Sequence, residues 1–319
     1  MKLNPDDQFY PTKDTVREIL KPYALKLATF EPAKSGIENI TLIVDTDKGK
    51  FVLRVYRQNK KTDTAILEET KFTNFLAKNR LPVPGIITNQ EHKYLSHTSI
   101  GNVSWQVIVM EYMPGVHAER YSLPLIQSMA DTQARVHLLS ESYDYDEQIL
   151  RKLEELRETI IIKQIVRDKS LDDRLHSFLN RAESYVLSLP SILPAGICHM
   201  DYSKGNILVN SNDTVAAVLD FDDMEVAPYA VCLGFSLYHL LHGGSTKSEQ
   251  EEYLRRYKAI RKLTKAEERI LLDVALFRHY FISSLAIFHE HRTEEDIVRY
   301  LEIEEELTKR GNNSLLSIK

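Results

Sequence analysis

Cysteine is scarce in this sequence. The 319 residues contain two cysteines, Cys198 and Cys232, and each lies within an apolar run. So few cysteines cannot build the disulfide framework that stabilises small secreted domains. We therefore expect both to be buried free thiols in a protein of a reducing compartment.

An excess of positive charge is also missing. The chain has 41 lysine and arginine residues against 46 aspartate and glutamate residues, which gives a formal net charge of −5. Proteins that bind nucleic acid need a basic face for the phosphate backbone, so this balance argues against a nucleic-acid partner. Hydrophobic residues make up 43% of the chain, which is ordinary for a globular protein with a substantial core.

Long apolar runs are absent as well. The segment Met1–Tyr10 is polar and lacks the apolar stretch of a secretory signal. The apolar tract Leu271–Phe288 is interrupted by Asp273, Arg278 and His279, so it is too polar for a bilayer and indicates a buried helix. The expected protein is soluble and cytoplasmic, with no membrane partner.

The patterning changes along the chain from mixed to mostly helical. In the first third it predicts an α+β arrangement: a helix at Thr15–Leu20, a hairpin of Ile40–Val44 and Phe51–Tyr56, a helix capped by Thr64 and ending near Asn79, and a strand at Trp105–Met110. After Pro114-Gly115, a plausible lobe boundary, it predicts helices at Ile126–Leu139, Gln148–Val166, Leu171–Leu187 and beyond Tyr229, interrupted by a β segment at Ile197–Phe221.

The most informative segment begins with His199-Met200-Asp201-Tyr202-Ser203-Lys204-Gly205-Asn206. Two short apolar strands follow, Ile207–Val209 and Val215–Leu219, and then Asp220-Phe221-Asp222. The polar residues between the strands predict a hairpin that turns near Ser211–Asn212. This register would set Asp220 roughly opposite Ser203, at the open end of the hairpin.

Two carboxylates and one carboxamide would then converge on one point. Asp201, Asn206 and Asp220 offer hard oxygen ligands of the kind that Mg²⁺ prefers. Phosphoryl transfer requires metal ions that neutralise the phosphoryl oxygens and a carboxylate that orients the attacking hydroxyl. Asp201 is the candidate catalytic base, and Asn206 and Asp220 are candidate magnesium ligands.

This segment resembles the catalytic and metal loops of the aminoglycoside phosphotransferase family, part of the kinase-like superfamily that includes choline and homoserine kinases. The family's His-x-Asp-x-x-x-x-Asn motif fits residues 199–206, its Asp-Phe metal loop fits residues 220–221, and the resemblance extends over roughly residues 20 to 290. It implies a bilobal protein kinase-like fold with a β-rich nucleotide-binding lobe at 1–113 and a helical catalytic lobe at 114–319. It also implies ATP or GTP as co-substrate, with Mg²⁺, and a small-molecule hydroxyl acceptor.

A basic residue and a carboxylate are expected on the nucleotide phosphates. Val52-Leu53-Arg54-Val55 occupies the strand where kinases place the basic residue, and alternation sets Arg54 on one face with Val52 and Tyr56. Its partner is Glu68 or Glu69, which helical register does not separate. The following Leu81-Pro82-Val83-Pro84 resembles the family's own phrase and favours Glu69.

The resemblance assigns further nucleotide contacts by position. Ser35, Gly36 and Asn39 fall in the short loop that positions the nucleotide. Glu111 and Met113 fall where backbone groups of the lobe linker hold adenine.

Departures from related families narrow the activity. Met200 follows His199 where protein kinases have arginine, Asp222 replaces the glycine after Asp220-Phe221, and no Ala-Pro-Glu follows. These departures disfavour a protein kinase. A non-catalytic nucleotide-binding protein is the other alternative, although all the catalytic positions are filled. Cys232 stands where many relatives carry an aspartate that supports the catalytic loop, and His137 corresponds to a structural histidine.

Acidic residues follow the metal loop. Asp222, Asp223 and Glu225 would make the mouth of the cleft acidic, which favours a cationic acceptor such as an aminoglycoside, an amino alcohol or a homoserine-like compound. The alternative is that these carboxylates are solvated or support the metal.

Overall fold

The computed structural model describes residues 11–33, 39–57, 61–100, 103–145, 168–187, 193–289 and 293–312. The predicted helix at Gln148–Val166 lies outside these ranges. Over the described ranges the fold is mixed: an antiparallel sheet and two helices come first, and small β elements among helices follow.

The first half is built on a six-stranded antiparallel sheet. Its strands are β1 (Leu27–Pro32), β2 (Ile40–Thr46), β3 (Gly49–Val55), β4 (Ile86–Ile87), β5 (Ser96–Ile100) and β6 (Val103–Glu111), in the order β1-β2-β3-β6-β4, with β5 also paired to β6. The predicted hairpin is present, because Thr46 pairs with Gly49 across a two-residue turn. Gly49 has φ of 115°, a conformation that favours glycine.

The two faces of β3 contact different helices. Leu53 and Val55 pack with α1 (Lys13–Leu20), whereas Val52 and Tyr56 pack with Ile66 on α2 (Asp63–Lys78). This is the alternation expected of a strand that is covered on both sides. It places Arg54 on the same face as α2.

Helix α2 begins two residues before the predicted start. Thr62, not Thr64, is the N-cap, and its hydroxyl accepts the backbone N–H of Ala65 at 3.2 Å. Both threonines suit a cap, and only the backbone path after β3 distinguishes them. The earlier start adds Asp63 to the first turn, where a carboxylate stabilises the helix dipole.

The second half is mainly helical. The helices are α3 (Leu123–Ser140), α4 (Lys169–Leu187), α5 (Tyr229–His242), α6 (Lys247–Ile260), α7 (Lys265–His289) and α8 (Glu294–Asn312). The strands are β7 (Val116–His117), β8 (Ala195–Cys198), β9 (Ile207–Val209), β10 (Val215–Val218) and β11 (Glu225–Pro228), in a three-stranded sheet β10-β9-β7 and a pair β11-β8. One buried cluster joins strands β8, β9, β10 and β11 to α3, α5, α6 and α7. No helix in the described part of the chain is both long and apolar enough to cross a membrane.

The hairpin β9–β10 carries a bulge that changes its register. Val209 pairs with Val215, but Leu208 pairs with Ala217, so β10 contains one extra residue. The N–H of Leu219 donates to the carbonyl of Asn206 at 2.8 Å. Leu219 therefore lies opposite Asn206 rather than opposite Lys204, which corrects the register predicted from an unbulged hairpin.

Candidate active site

The catalytic loop is tied to the metal loop through His199. This buried side chain follows β8, and its Nε2–H donates to the carbonyl of Leu219 at 2.8 Å. Its ring lies 4.6 Å from that of Phe221. The contacts fix Asp201, two residues after His199, relative to Asp220, which follows Leu219. His199 thus has an orienting role.

Asp201 and Asn206 form the centre of the catalytic loop. The Asn206 side-chain amide donates to the Asp201 carbonyl at 3.0 Å and to its Oδ2 at 2.8 Å. Because Nδ2 is the donor, the carbonyl oxygen Oδ1 of Asn206 is its acceptor atom. The two predicted side chains are therefore in direct contact.

Asp220 occupies a strained position at the end of β10. Its φ is 61°, a left-handed conformation that is uncommon outside glycine and that clusters at functional sites. Its carboxylate remains about 39% exposed, and Oδ1 lies 3.0 Å from Arg54 Nη2. The strain is consistent with a side chain aimed by its loop into a cleft.

Arg54 connects the sheet to the metal loop. This guanidinium is buried, lying 3.0 Å from Asp220 and 3.4 Å from Glu69 on α2. Burial lowers the pKa of Arg54, but the negative charges of Asp220, then of Glu69, outweigh it and keep the group protonated. The structure distinguishes the two glutamates, since Glu68 pairs with Lys71 instead.

Lys61 is a second cation at this site, which the sequence patterns did not identify. Its ammonium lies 2.9 Å from Glu69 Oε2 and 2.7 Å from Asp222 Oδ1, so it bridges α2 and the metal loop. Burial opposes its charge, but Glu69 and Asp222 raise its pKa above the ordinary value. The one sequence signal was its place beside the α2 cap, where a lysine is usually solvated.

Two further basic groups flank Asp201 and were also not predicted. Arg278 Nη2 lies 3.3 Å and His239 Nε2 3.4 Å from Asp201 Oδ1. Burial raises the pKa of Asp201, but the His239 hydrogen bond and the charges of His239 and Arg278 together hold it below its ordinary value. A sequence signal existed for Arg278, because a buried arginine in an apolar helix needs a carboxylate partner.

The predicted nucleotide contacts have unequal support. Asn39, predicted in the nucleotide-positioning loop, donates through Nδ2 to Asp222 Oδ2 at 3.0 Å. Ser35 and Gly36 lie outside the described residues. The backbone N–H of Glu111 donates to the carbonyl of Gly85 at 2.8 Å. This N–H is therefore already hydrogen-bonded inside the protein. Met113 follows β6 and is half-buried.

The acidic residues after the metal loop do not form a common acidic mouth. Asp222 contacts Lys61 and Asn39. Burial raises the pKa of Asp222, but the opposite charge of Lys61 outweighs burial and lowers that pKa below its ordinary value. Glu225 is buried on β11 opposite Cys198. Of the three, Asp223 is the exposed one. The expectation of a cationic acceptor therefore loses two of its three supporting carboxylates.

A divalent cation fits the oxygen donors that this geometry presents. The carboxylate of Asp220 and Oδ1 of Asn206 belong to adjoining backbone segments, joined by the Leu219–Asn206 hydrogen bond. Carboxylate and amide oxygens are the donors that Mg²⁺ takes in nucleotide sites. Arg54 places a buried guanidinium 3.0 Å from Asp220 Oδ1, beside these donors.

Known proteins share this sequence pattern over most of the chain. The sequence model of the phosphotransferase enzyme family matches residues 29–269. The homoserine kinase of Polaromonas naphthalenivorans is 25% identical over 278 residues, which covers 83% of this chain and 84% of that protein. The homoserine kinase of Afipia carboxidovorans is 22% identical over 265 residues, covering 81% of this chain and 78% of that protein.

Solved structures share the fold. A microcompartment-associated aminopropanol kinase superposes with a TM-score of 0.77 at 20% identity, covering 94% of this chain and 97% of that one. Amicoumacin kinase hAmiN, solved with AMP-PNP, Ca²⁺ and Ami, superposes with a TM-score of 0.74 at 17% identity. The match covers 95% of this chain and 94% of that one. With the family match over residues 29–269, these findings show that the chain belongs to the phosphotransferase enzyme family and is a small-molecule kinase with a kinase-like fold.

Proposed function

We propose that this kinase transfers the γ-phosphoryl group of ATP or GTP, with Mg²⁺, to a small acceptor hydroxyl held against Asp201. One observation carries the proposal: Glu69, Arg54 and Asp220 form a continuous series of contacts. The metal loop is in turn hydrogen-bonded to the loop that holds Asn206 and Asp201. Phosphate, metal and acceptor groups are thereby held in one rigid arrangement.

Each residue has a defined task. Arg54 binds the nucleotide phosphates, and Glu69 keeps its guanidinium oriented. Asn206 and Asp220 hold Mg²⁺, which neutralises charge on the phosphoryl oxygens when it is bound. Asp201 accepts a hydrogen bond from the acceptor hydroxyl. It receives the hydroxyl proton as the bond between the γ-phosphorus and the acceptor oxygen forms and the bond to the departing nucleoside diphosphate breaks.

The lowered pKa of Asp201 suits this task. A carboxylate whose pKa is depressed stays ionised and is a weak base, so it orients the hydroxyl more than it abstracts the proton early. Phosphoryl transfer passes through a loose transition state in which the hydroxyl needs little prior activation. Orientation is thus the larger contribution of Asp201.

The surroundings of Asp201 favour an acceptor of a particular charge. Arg278 and His239 place a guanidinium and an imidazole beside the catalytic carboxylate, whereas Asp222 and Glu225 are engaged elsewhere. Burial lowers the pKa of His239, so Arg278 supplies the positive charge. This guanidinium favours an acceptor with an anionic group near its hydroxyl, such as a hydroxy amino acid of the homoserine class. The homoserine kinases among the relatives support the same class.

The activity is tested by Asp201→Asn, with Asp213→Asn as the matched control. Asp213 lies in the β9–β10 turn at φ of 56°, which asparagine tolerates. We expect kcat with Mg-ATP to fall by roughly 10²–10⁴-fold in Asp201→Asn. Circular dichroism should be unchanged, and the control should retain full activity. Normal turnover by Asp201→Asn would refute the proposal.

The acceptor class is tested by nucleotide consumption with homoserine, aminopropanol, choline and an aminoglycoside. We expect homoserine to give the largest kcat/KM. If Arg278 contacts the acceptor carboxylate, Arg278→Leu should raise KM for homoserine more than KM for aminopropanol. Equal changes in both KM values would contradict the carboxylate contact and leave the kinase assignment standing.

A further inference from the structure

A cluster of metal-binding side chains lies in the buried core, on elements that carry none of the proposed nucleotide contacts. His137 on α3, Cys198 on β8 and Cys232 on α5 place an imidazole nitrogen and two sulfur atoms within 4.8 Å of one another. All three side chains are at most 1% exposed. A single metal ion at about 2.3 Å from sulfur and about 2.1 Å from nitrogen holds its ligands on the order of 4 Å apart, which matches this cluster.

The imidazole of His137 is already oriented as a metal ligand would be. Its Nδ1 is hydrogen-bonded to the Tyr257 hydroxyl at 2.6 Å. Its Nε2 is buried and has no hydrogen-bond partner in the described structure. A metal-bound histidine typically holds one nitrogen on an outer partner and directs the other at the ion. A buried nitrogen without a partner is otherwise costly.

The two sulfur atoms have few other partners in the described structure. The Cys198 thiol donates to the carbonyl of Ala227 at 3.6 Å, and Gln133 Nε2 donates to Cys232 Sγ at 3.3 Å. Thiolate is the form that binds metal, so both thiols release their protons to solvent when the ion binds.

We propose that His137, Cys198 and Cys232 form a structural binding site for one thiophilic metal ion, of the Cu(I) or Zn(II) class, beneath the catalytic loop. Two thiolates and an imidazole are soft and borderline donors that select these ions over Mg²⁺. The ion joins α3 and α5 to the strand β8, which leads directly into His199 and Asp201. Its binding stabilises the base of that loop.

The experiment measures metal stoichiometry on the reduced, full-length protein in excess Mg²⁺. Cu(I) and Zn(II) are offered separately, both to the native protein and during refolding, because the ligands are buried. We expect one equivalent bound and a Tm that rises with metal. X-ray absorption then counts the ligands around the bound ion. We expect three protein ligands if Cu(I) is the ion that binds tightly, and a fourth ligand in addition if it is Zn(II).

Variants identify the ligands and separate this site from the nucleotide site. Cys198→Ser and Cys232→Ser should each abolish stoichiometric binding and the metal-dependent rise in Tm. Tyr257→Phe, which keeps the ring and removes the outer hydrogen bond, should weaken affinity by roughly 10–100-fold. His97→Gln, at an exposed histidine, and Asp220→Asn, in the magnesium site, should bind as wild type. Absence of stoichiometric metal under both loading conditions, or unchanged binding by the serine variants, would overturn the proposal.

Discussion

The carboxylate of Asp201 lies 3.3 Å from the guanidinium of Arg278, a residue 77 positions later in the chain. Arg278 is buried on α7, with its guanidinium 4.6 Å from the ring centroid of Phe235. The pair therefore joins the catalytic loop to the helical core through a cation whose position is fixed by packing. His239, 3.4 Å from the same oxygen, and Arg278 together hold the pKa of Asp201 below its ordinary value.

The first prediction concerns the pH dependence of the reaction. Arg278 favours the ionised form of Asp201, so Arg278→Leu should raise the pKa of Asp201. The acid limb of kcat/KM should then move to higher pH, while Arg278→Lys should move it less. Rate profiles for the three proteins check this. An acid limb that stays in place in Arg278→Leu would exclude the proposed influence of Arg278 on Asp201.

The second prediction compares two adjacent glutamates. Glu69→Gln removes the negative charge shared by Arg54 and Lys61, and breaking such a buried pair costs on the order of 3 kcal/mol. Glu68→Gln is the matched control, because its partner Lys71 is exposed, so the loss is about 0–1 kcal/mol. Urea unfolding gives both values. Equal losses would mean that the Glu69 contacts contribute little.

The third prediction concerns stability at acid pH. The pKa of Asp222 is below its ordinary value of 3.8 because Lys61 favours the carboxylate. Ionised Asp222 therefore stabilises the folded state above that value, and this stability is lost as pH falls through the lower, folded-state pKa. Lys61→Met should reduce the acid-dependent loss of unfolding free energy below about pH 4, where the pH falls from the ordinary pKa towards the lower, folded-state pKa. Lys71→Met, at an exposed lysine, should leave the slope unchanged.

The fourth prediction tests the close packing of α5 against α7. A Cβ at Gly234 would lie 2.6 Å from Val274 Cγ1 and 3.1 Å from the carbonyl of Leu271. Gly234→Ala should cost about 1–3 kcal/mol by overpacking, although alanine is intrinsically the better helix former. Thermal unfolding measures the loss. At Gly205 a Cβ meets only Ser203 Oγ at 3.5 Å, so Gly205→Ala should be nearly neutral.

Much of the fold could be predicted because its signals are local. The alternation of β3, the proline-bounded α2 and the apolar strands on either side of a polar turn all have short-range causes. The roles proposed for Asp201, Asn206 and Asp220 were predicted for the same reason, since all three flank one hairpin. The exact register of the β9–β10 hairpin could not be predicted, because the bulge in β10 depends on packing that no local pattern reveals.

Contacts between segments far apart in the sequence could be identified only in the folded chain. Glu68 and Glu69 differ by one helical position, about 100°, and only the placement of α2 against β3 decides which of them contacts Arg54. The sequence predicted that Asp222 belongs to an acidic mouth of the cleft. In the folded chain its carboxylate instead contacts Lys61 and Asn39. A charge acts according to its three-dimensional neighbours, which the linear order does not give.

Residue types and spacings within and beside one hairpin were thus enough to predict candidate phosphoryl-transfer groups. The environment of those groups could not be predicted from the sequence. It is assembled from separate helices and strands, which bring together His239, Arg278 and the cluster of His137, Cys198 and Cys232. Side chains tens of residues apart meet only because apolar faces pack together, and that packing also determines how strongly their charges interact.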